Sequence, residues 1–493
     1  MRNFIWSSRA NRIYLFSAVA ISLLLWYGFK RLYPYPNVIF DSYNYARAAA
    51  LNWSFNSWPI GYSKFLQLFA LFSHSANLLV FLQYMWVEGA CLVFFFTWLY
   101  LFRPGKWIAR VMFVLLFLDP LLLYCCNYII SDPLFIGLSL LWISQLLWIL
   151  CRPRPYMIIS HALLLGLAFT VRYNALYYPF VAALAFILCR QRPWFKIAGM
   201  GVPAALIAGF IYYTSIQVGR EMGQRQFSAF GSWKLANDAL YVYAHVTPDS
   251  ASSVPEQYRS LDRRVRTWYQ QNQGPVDLLY QDFTSGSYFM FAINSPLVQY
   301  MDSLYGGGWP FLNTKKYWAV APLYQSYGAY LIRKYPTAFI RYFLWPNFLR
   351  YYAPPGEIFG STVPFSLEES YGGPYLRKIF TLATIETKPT SIELSIKILR
   401  VYPLVMALGH FGFLLGLVAF LLSGGYRKIG KPINYCVLLI AALWCCDLAF
   451  SVLSAGIVLR YQIFVMVPEL AFGLYFIEYV YRNLDRRLPM AVS

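Results

Sequence analysis

The chain is 493 residues long, 59% hydrophobic and 20% aromatic, and only 13% charged. Soluble domains carry about one quarter charged residues, so this composition excludes an ordinary soluble globule and points to a polytopic membrane protein. A net charge of +20 would suit nucleic acid, but Lys and Arg collected in short cytoplasmic loops account for the excess without such a partner.

In chain order, apolar stretches long enough to cross a bilayer are expected at about 13–29, 76–102, 108–128, 133–151, 156–171, 174–189, 197–218, 396–422, 434–456 and 461–481. The fold class is therefore mainly α, a helical membrane protein of about ten spans. The fifth and sixth are short and meet at Arg172-Tyr173-Asn174. The first follows Arg2, Arg9 and Arg12 without a small-residue cleavage site, which reads as a retained signal anchor.

The sequence divides into a seven-span module (1–218), a hydrophilic extracytoplasmic domain (219–395) and a three-span region (396–493). The inserted domain has 16 basic and 13 acidic residues, is rich in Tyr, Trp, Gly and Pro, and is expected to be of mixed structure. Its aromatic, basic segment 335–345 is expected to rest on the membrane surface.

Seventeen Lys and Arg fall on one side of this topology. The short loops of the other side hold six, namely Lys30, Arg31, Arg47, Lys64, Arg172 and Arg460. This bias makes the richer side, with both termini, cytoplasmic. The eight cysteines lie in or beside apolar spans, and neither a disulfide framework nor a metal-ligand spacing is present.

Candidate chemistry concentrates on the poorer side. The outer loop 30–75 contains Phe40-Asp41-Ser42-Tyr43-Asn44-Tyr45, followed by a predicted interfacial helix from Gly61 to Phe69 that carries Tyr62 and Lys64. Only Asp41 and Asp132 are acidic residues in the short outer loops. Asp41 is either a solvated loop acid or the place where chemistry occurs. Asp132, in Ser131-Asp132-Pro133, is either a helix N-cap or a ligand facing a cleft.

Arg172 and Arg460 sit at outer span boundaries. They read as interfacial anchors or as an anion site, since guanidinium matches phosphate oxygens with directed donors. Glu88, Asp119, Asp447 and Glu469 fall inside spans, where ionisable groups are costly and usually paired or functional. That placement keeps a second reading open, a transporter or lipid flippase with an ion relay. A non-catalytic scaffold is a third.

The pattern resembles the C-type glycosyltransferase superfamily, in particular bacterial relatives of protein O-mannosyltransferases and lipid A aminoarabinose transferases. The resemblance rests on Asp41-Ser42-Tyr43-Asn44-Tyr45, Pro59-Ile60-Gly61-Tyr62, Ser131-Asp132-Pro133-Leu134-Phe135, Thr170-Val171-Arg172-Tyr173-Asn174, and Arg460-Tyr461 with Pro468. It is best over 1–218 and poor over 219–395.

It implies a hexosyl- or pentosyltransferase in a bacterial inner membrane, with its active site facing the periplasm or cell exterior. A sugar would move from a polyprenyl-phosphate donor to a glycan, lipid or protein acceptor. Asp41 would be the general base of an inverting transfer. Arg172, Arg460 and Lys64 would bind the donor phosphate, Tyr43, Tyr45 and Tyr62 would contact sugar or acceptor, and Asp132 would orient the acceptor or hold a divalent cation. Many relatives carry a second acid after the first; here Ser42 stands in that place, so no metal is assigned to this loop.

Overall fold

Leu, Ile, Val, Phe and Trp dominate the stretches between basic or proline-containing breaks, and in lipid such a chain must satisfy its backbone polar groups internally, which helices do. The computed structural model describes residues 1–243, 245–246, 253–272, 285–306, 314–356, 373–381, 389–454 and 456–485. Among the described residues eight helices are long and apolar enough to cross a membrane: Arg9–Leu32, Ala76–Phe102, Lys106–Cys126, Asp132–Cys151, Pro193–Met222, Ser391–Leu422, Lys431–Ser454 and Leu459–Asn483. Two shorter apolar helices, Met157–Val171 and Tyr173–Leu188, occupy the expected fifth and sixth spans.

The breaks have local causes. Ser75 caps the helix from Ala76 by accepting the Leu78 N–H (3.2 Å). Asp119 interrupts the third span, where its carboxylate accepts the Leu121 N–H (3.0 Å) and Pro120 restarts the helix. Tyr402 donates a further short hydrogen bond to that carboxylate.

Successive spans run in opposite directions, so their basic ends gather together. There Phe4 packs on Tyr100 at 5.1 Å, Gly105 N–H donates to Glu478 Oε1 (2.7 Å), and the Cys151 and Cys436 sulfurs lie 3.6 Å apart. Arg486 and Arg487 of the basic side lie outside the described residues. The opposite ends hold Asp41, Asp132, Arg172 and Arg460 together.

Two expectations change. The segment around Asp41 is helical, α1 (Phe40–Ala50), where a short loop is predicted. Ser42 closes its first turn by accepting the Ile39 N–H (3.0 Å). Second, the described part of 219–395 consists of helices and short turns with no strand, so its expected mixed character is not seen there. The segment containing 335–345 continues into α2 (Trp345–Tyr352), which packs between two of the long apolar helices. Tyr351 donates to Asp447 (2.9 Å) and packs on His410 at 4.8 Å.

The four acids within spans are each engaged. Glu88 accepts from Ser22 (3.1 Å), Asp447 from Tyr177 (2.8 Å) as well as Tyr351, Glu469 pairs with His410 (2.6 Å), and Asp119 is satisfied at its cap.

Candidate functional site

The connection after the first span and the connection before Asp132 are stitched together. Asn37 N–H donates to Asn127 O (2.8 Å), and Ile129 N–H donates to Asn37 O (3.1 Å). Gln83 reaches from a neighbouring span to the carbonyls of Cys126 (3.2 Å) and Tyr128 (2.9 Å). Buried backbone groups outside helices need such partners, and meeting that need fixes both connections. Asp41 follows four residues after Asn37, in the first turn of α1, and Asp132 opens its span just beyond Ile129. Tyr45, one turn along α1, pairs its hydroxyl with Ser131 (3.0 Å).

Asp132 is not the expected N-cap. Ser131 holds the cap position, Asp132 lies inside the first turn, and no side-chain cap bond forms there. Its carboxylate turns instead to Arg172, at 2.6 Å. Arg172 stands in extended backbone where the short fifth span ends. That end is held in place by Gly61, where a side chain would meet the backbone of Thr170 at 2.6 Å. Arg460, at the start of the last span, lies 3.8 Å from both Asp41 and Asp132. The ring of Tyr461 is faced by both guanidinium groups, at 4.8 Å from Arg172 and 5.3 Å from Arg460.

Beside this cluster lies a cavity of about 230 Å³. Asp41, Tyr45, Arg172 and Tyr461 line it, with Trp58 from the outer connection, Phe230 and Lys234 from α3 (Ala229–Tyr243), and Phe450, Ser451 and Ser454 from the ninth expected span. Drug-sized ligands occupy roughly 300–1,000 Å³, so this space suits one small polar ring with its linking group. Aromatic rings, among them Tyr45, Trp58, Phe230 and Tyr461, share its walls with polar and charged side chains.

The two carboxylates differ in access. Asp41 keeps 26% of its side chain exposed, whereas Asp132 keeps 4%. Only Asp41 lines the cavity. Burial is the largest influence on it and pushes its carboxyl above the usual carboxylate range. Arg460 opposes that rise, the charge of Asp132 adds to it, and Arg172 and a hydrogen bond from Trp58 again hold it down.

The sequence-derived candidates do not all meet. Asp41, Tyr45 and Arg172 line the cavity, with Asp132 and Arg460 in ionic contact behind them. Lys64 is turned elsewhere and donates to Asn52 (2.8 Å) and Gln67 (3.3 Å). Tyr62 is fully buried, donates to Gln83 (2.6 Å) and supports Tyr45 edge-on at 4.9 Å. Tyr43 is buried and does not line the cavity.

Lys234 is a cavity residue that sequence reasoning missed. It pairs with Asp238 (3.0 Å) and donates to Gly286 O (2.5 Å). Burial pushes Asp238 up to about 6 despite that ammonium. A Lys and an Asp one turn apart on an otherwise apolar helix were the available signal.

Among the described residues no three His, Cys, Asp or Glu side chains gather at metal-ligating spacing. A guanidinium stands between Asp41 and Asp132, and a second engages Asp132 directly. The place a divalent ion would take between the two carboxylates is thus already filled by positive charge, and these residues do not fit a resident cation. No family model, curated protein or solved structure matches the chain.

Proposed function

We propose that this membrane protein is a glycosyltransferase that moves a sugar from a polyprenyl-phosphate donor to an acceptor hydroxyl. The observation that carries the reading is one small aromatic cavity with an accessible carboxylate, Asp41, on one wall and the guanidinium of Arg172 on another. An alcohol is a poor nucleophile near neutral pH, so the reaction needs a base at the hydroxyl. It also needs fixed positive charge where the phosphate departs.

Asp41 takes the proton of the acceptor hydroxyl as that oxygen bonds to the anomeric carbon. The carbon–oxygen bond to the phosphate breaks from the opposite face, which inverts the centre. Negative charge developing on the phosphate is met by Arg172 and by Arg460 behind it. Both guanidiniums are largely desolvated, which strengthens their pull on developing charge. Asp132 holds Arg172 in position, a support role in place of the acceptor-orienting one. Tyr45 and Trp58 offer ring faces to a sugar, and Lys234 adds a third cation to the lining.

Asp41→Asn is expected to lower transfer by roughly 10²–10⁴-fold, the usual contribution of a positioned base, while expression stays near wild type. The readout is mass analysis of surface glycans and carrier lipids in cells carrying either form. Unchanged glycans and lipids in the variant would remove Asp41 from the mechanism. The competing transport reading rests on the intramembrane acids. It is separated by neutralising Glu88, Asp119, Asp447 and Glu469, which a transporter would feel more than Asp41→Asn.

A further inference from the structure

At the ends of the spans remote from the catalytic cavity, a second cleft of about 510 Å³ opens among the helices Ala76–Phe102, Asp132–Cys151 and Met157–Val171. Its origin is a length mismatch. Asp132 and Arg172 hold one end of the second and third of these helices in register at 2.6 Å. The helices have 20 and 15 residues, so at about 1.5 Å per residue the shorter falls about 7 Å behind at the other end. The chain closes that gap with Arg152-Pro153-Arg154-Pro155-Tyr156. Two prolines keep it from continuing the helix, and a concave space is left beside it.

The cleft has two chemistries. Val93, Leu141 and Leu164 form an apolar wall. At the rim stand Arg152 and Arg154, both exposed and neither in an ion pair with an acid among the described residues. Arg152 is held over the Tyr100 ring at 4.9 Å, and Tyr100 stacks on Trp148 at 5.2 Å. Trp148 is fixed in turn by donating to Thr97 (3.0 Å). This guanidinium is therefore presented by a braced aromatic stack, not carried on a freely moving surface chain.

We propose that the cleft is a binding site for an anionic diacyl phospholipid. The headgroup phosphodiester lies between Arg152 and Arg154, and one acyl chain lies along the apolar wall. Paired guanidiniums match phosphate oxygens with directed donors. Basic pockets between spans at a membrane surface are suited to such headgroups. A zwitterionic lipid offers the same phosphodiester but brings its own cation beside the two guanidiniums, and a free phosphate would leave the apolar wall unfilled.

The test uses the full chain purified in a mild detergent, with added phosphatidylglycerol, phosphatidylcholine or inorganic phosphate. Native mass spectrometry reads retained lipid and a thermal melt reads stabilisation. The expected result is one retained phosphatidylglycerol per chain, at least tenfold preferred over phosphatidylcholine, with no stabilisation by phosphate alone. Arg152→Gln with Arg154→Gln abolishes the retention. Lys428→Gln with Lys431→Gln, the same loss of charge elsewhere on that surface, preserves it. Leu164→Trp, which keeps both arginines and fills the apolar wall, also abolishes it, so the proposal stays testable if the arginine pair fails to fold. Equal retention of the two lipids, retention in either cleft variant, or equal stabilisation by phosphate alone overturns the assignment.

Discussion

Asp41 and Asp132 share Arg460, 3.8 Å from each, and Arg172 sits on Asp132 at 2.6 Å. The proton affinity of Asp41 is therefore set by its neighbours and by burial together. Burial raises its pKa, Arg460 lowers it, Asp132 raises it and Arg172 lowers it. In the proposed transfer Asp41 works as a base only when deprotonated, so the rate is expected to fall as pH drops through this pKa. The acid limb of the rate profile is expected above the ordinary carboxylate range. Asp132→Asn removes a like charge and moves that limb to lower pH. Arg460→Gln removes an opposing charge and moves it to higher pH. The check is the pH dependence of transfer in membranes from both variants. Limbs that stay fixed, or that move together, would mean that the titrating group is not Asp41.

Among the elements, the helix from Gly61 to Ala70 has an effect larger than its size. Its first residue touches the backbone of Thr170, two residues before Arg172, with 2.6 Å from the position of an added Cβ to that backbone. Two motifs that read separately in the sequence, Pro59-Ile60-Gly61-Tyr62 and Thr170-Val171-Arg172, are thus one contact in the fold. Backbone cannot yield as a flexible side chain can. Gly61→Val is expected to cost about 1–3 kcal/mol, as overpacking does, and to lower transfer by displacing Arg172. A thermal melt together with a transfer assay checks both parts. An unaltered melt would show that the helix shifts freely and does not set the position of Arg172.

That contact also marks what was and was not legible. The individual residues Asp41, Asp132, Arg172 and Arg460 stood out, because charges are scarce beside apolar spans. Helix formation over Phe40–Ala50 did not. Asp, Ser, Tyr and Asn are weak helix formers, and a helix of this length is secured mainly by packing. Nor could the sequence separate Lys64 from Lys234. Both are lysines near aromatic residues, and only the packing of Ala229–Tyr243 over the membrane module brings the second to the cavity.

For the whole molecule, the alternation of apolar and basic stretches was enough to anticipate a helical membrane protein. It also anticipated the short pair at Met157–Val171 and Tyr173–Leu188. The alternating direction of the spans then sorts charge by end. Arg152, Arg154, Arg190 and Lys196 follow or precede span ends remote from the cavity, whereas Arg172 and Arg460 lie at it. Positive residues are retained on the cytoplasmic side during insertion, so the cavity end is expected to face outward. The lipid donor would then be used on the outer surface.

This orientation can be read with single cysteines placed in a variant lacking the eight native ones. Ser228→Cys, at the cavity, is expected to react with a membrane-impermeant maleimide in intact cells. Arg154→Cys and Arg427→Cys are expected to react only after the membrane is opened. The reverse pattern would place the cavity in the cytoplasm. The acceptor would then have to be a cytoplasmic molecule, and the extracytoplasmic assignment of 219–395 would fall with it.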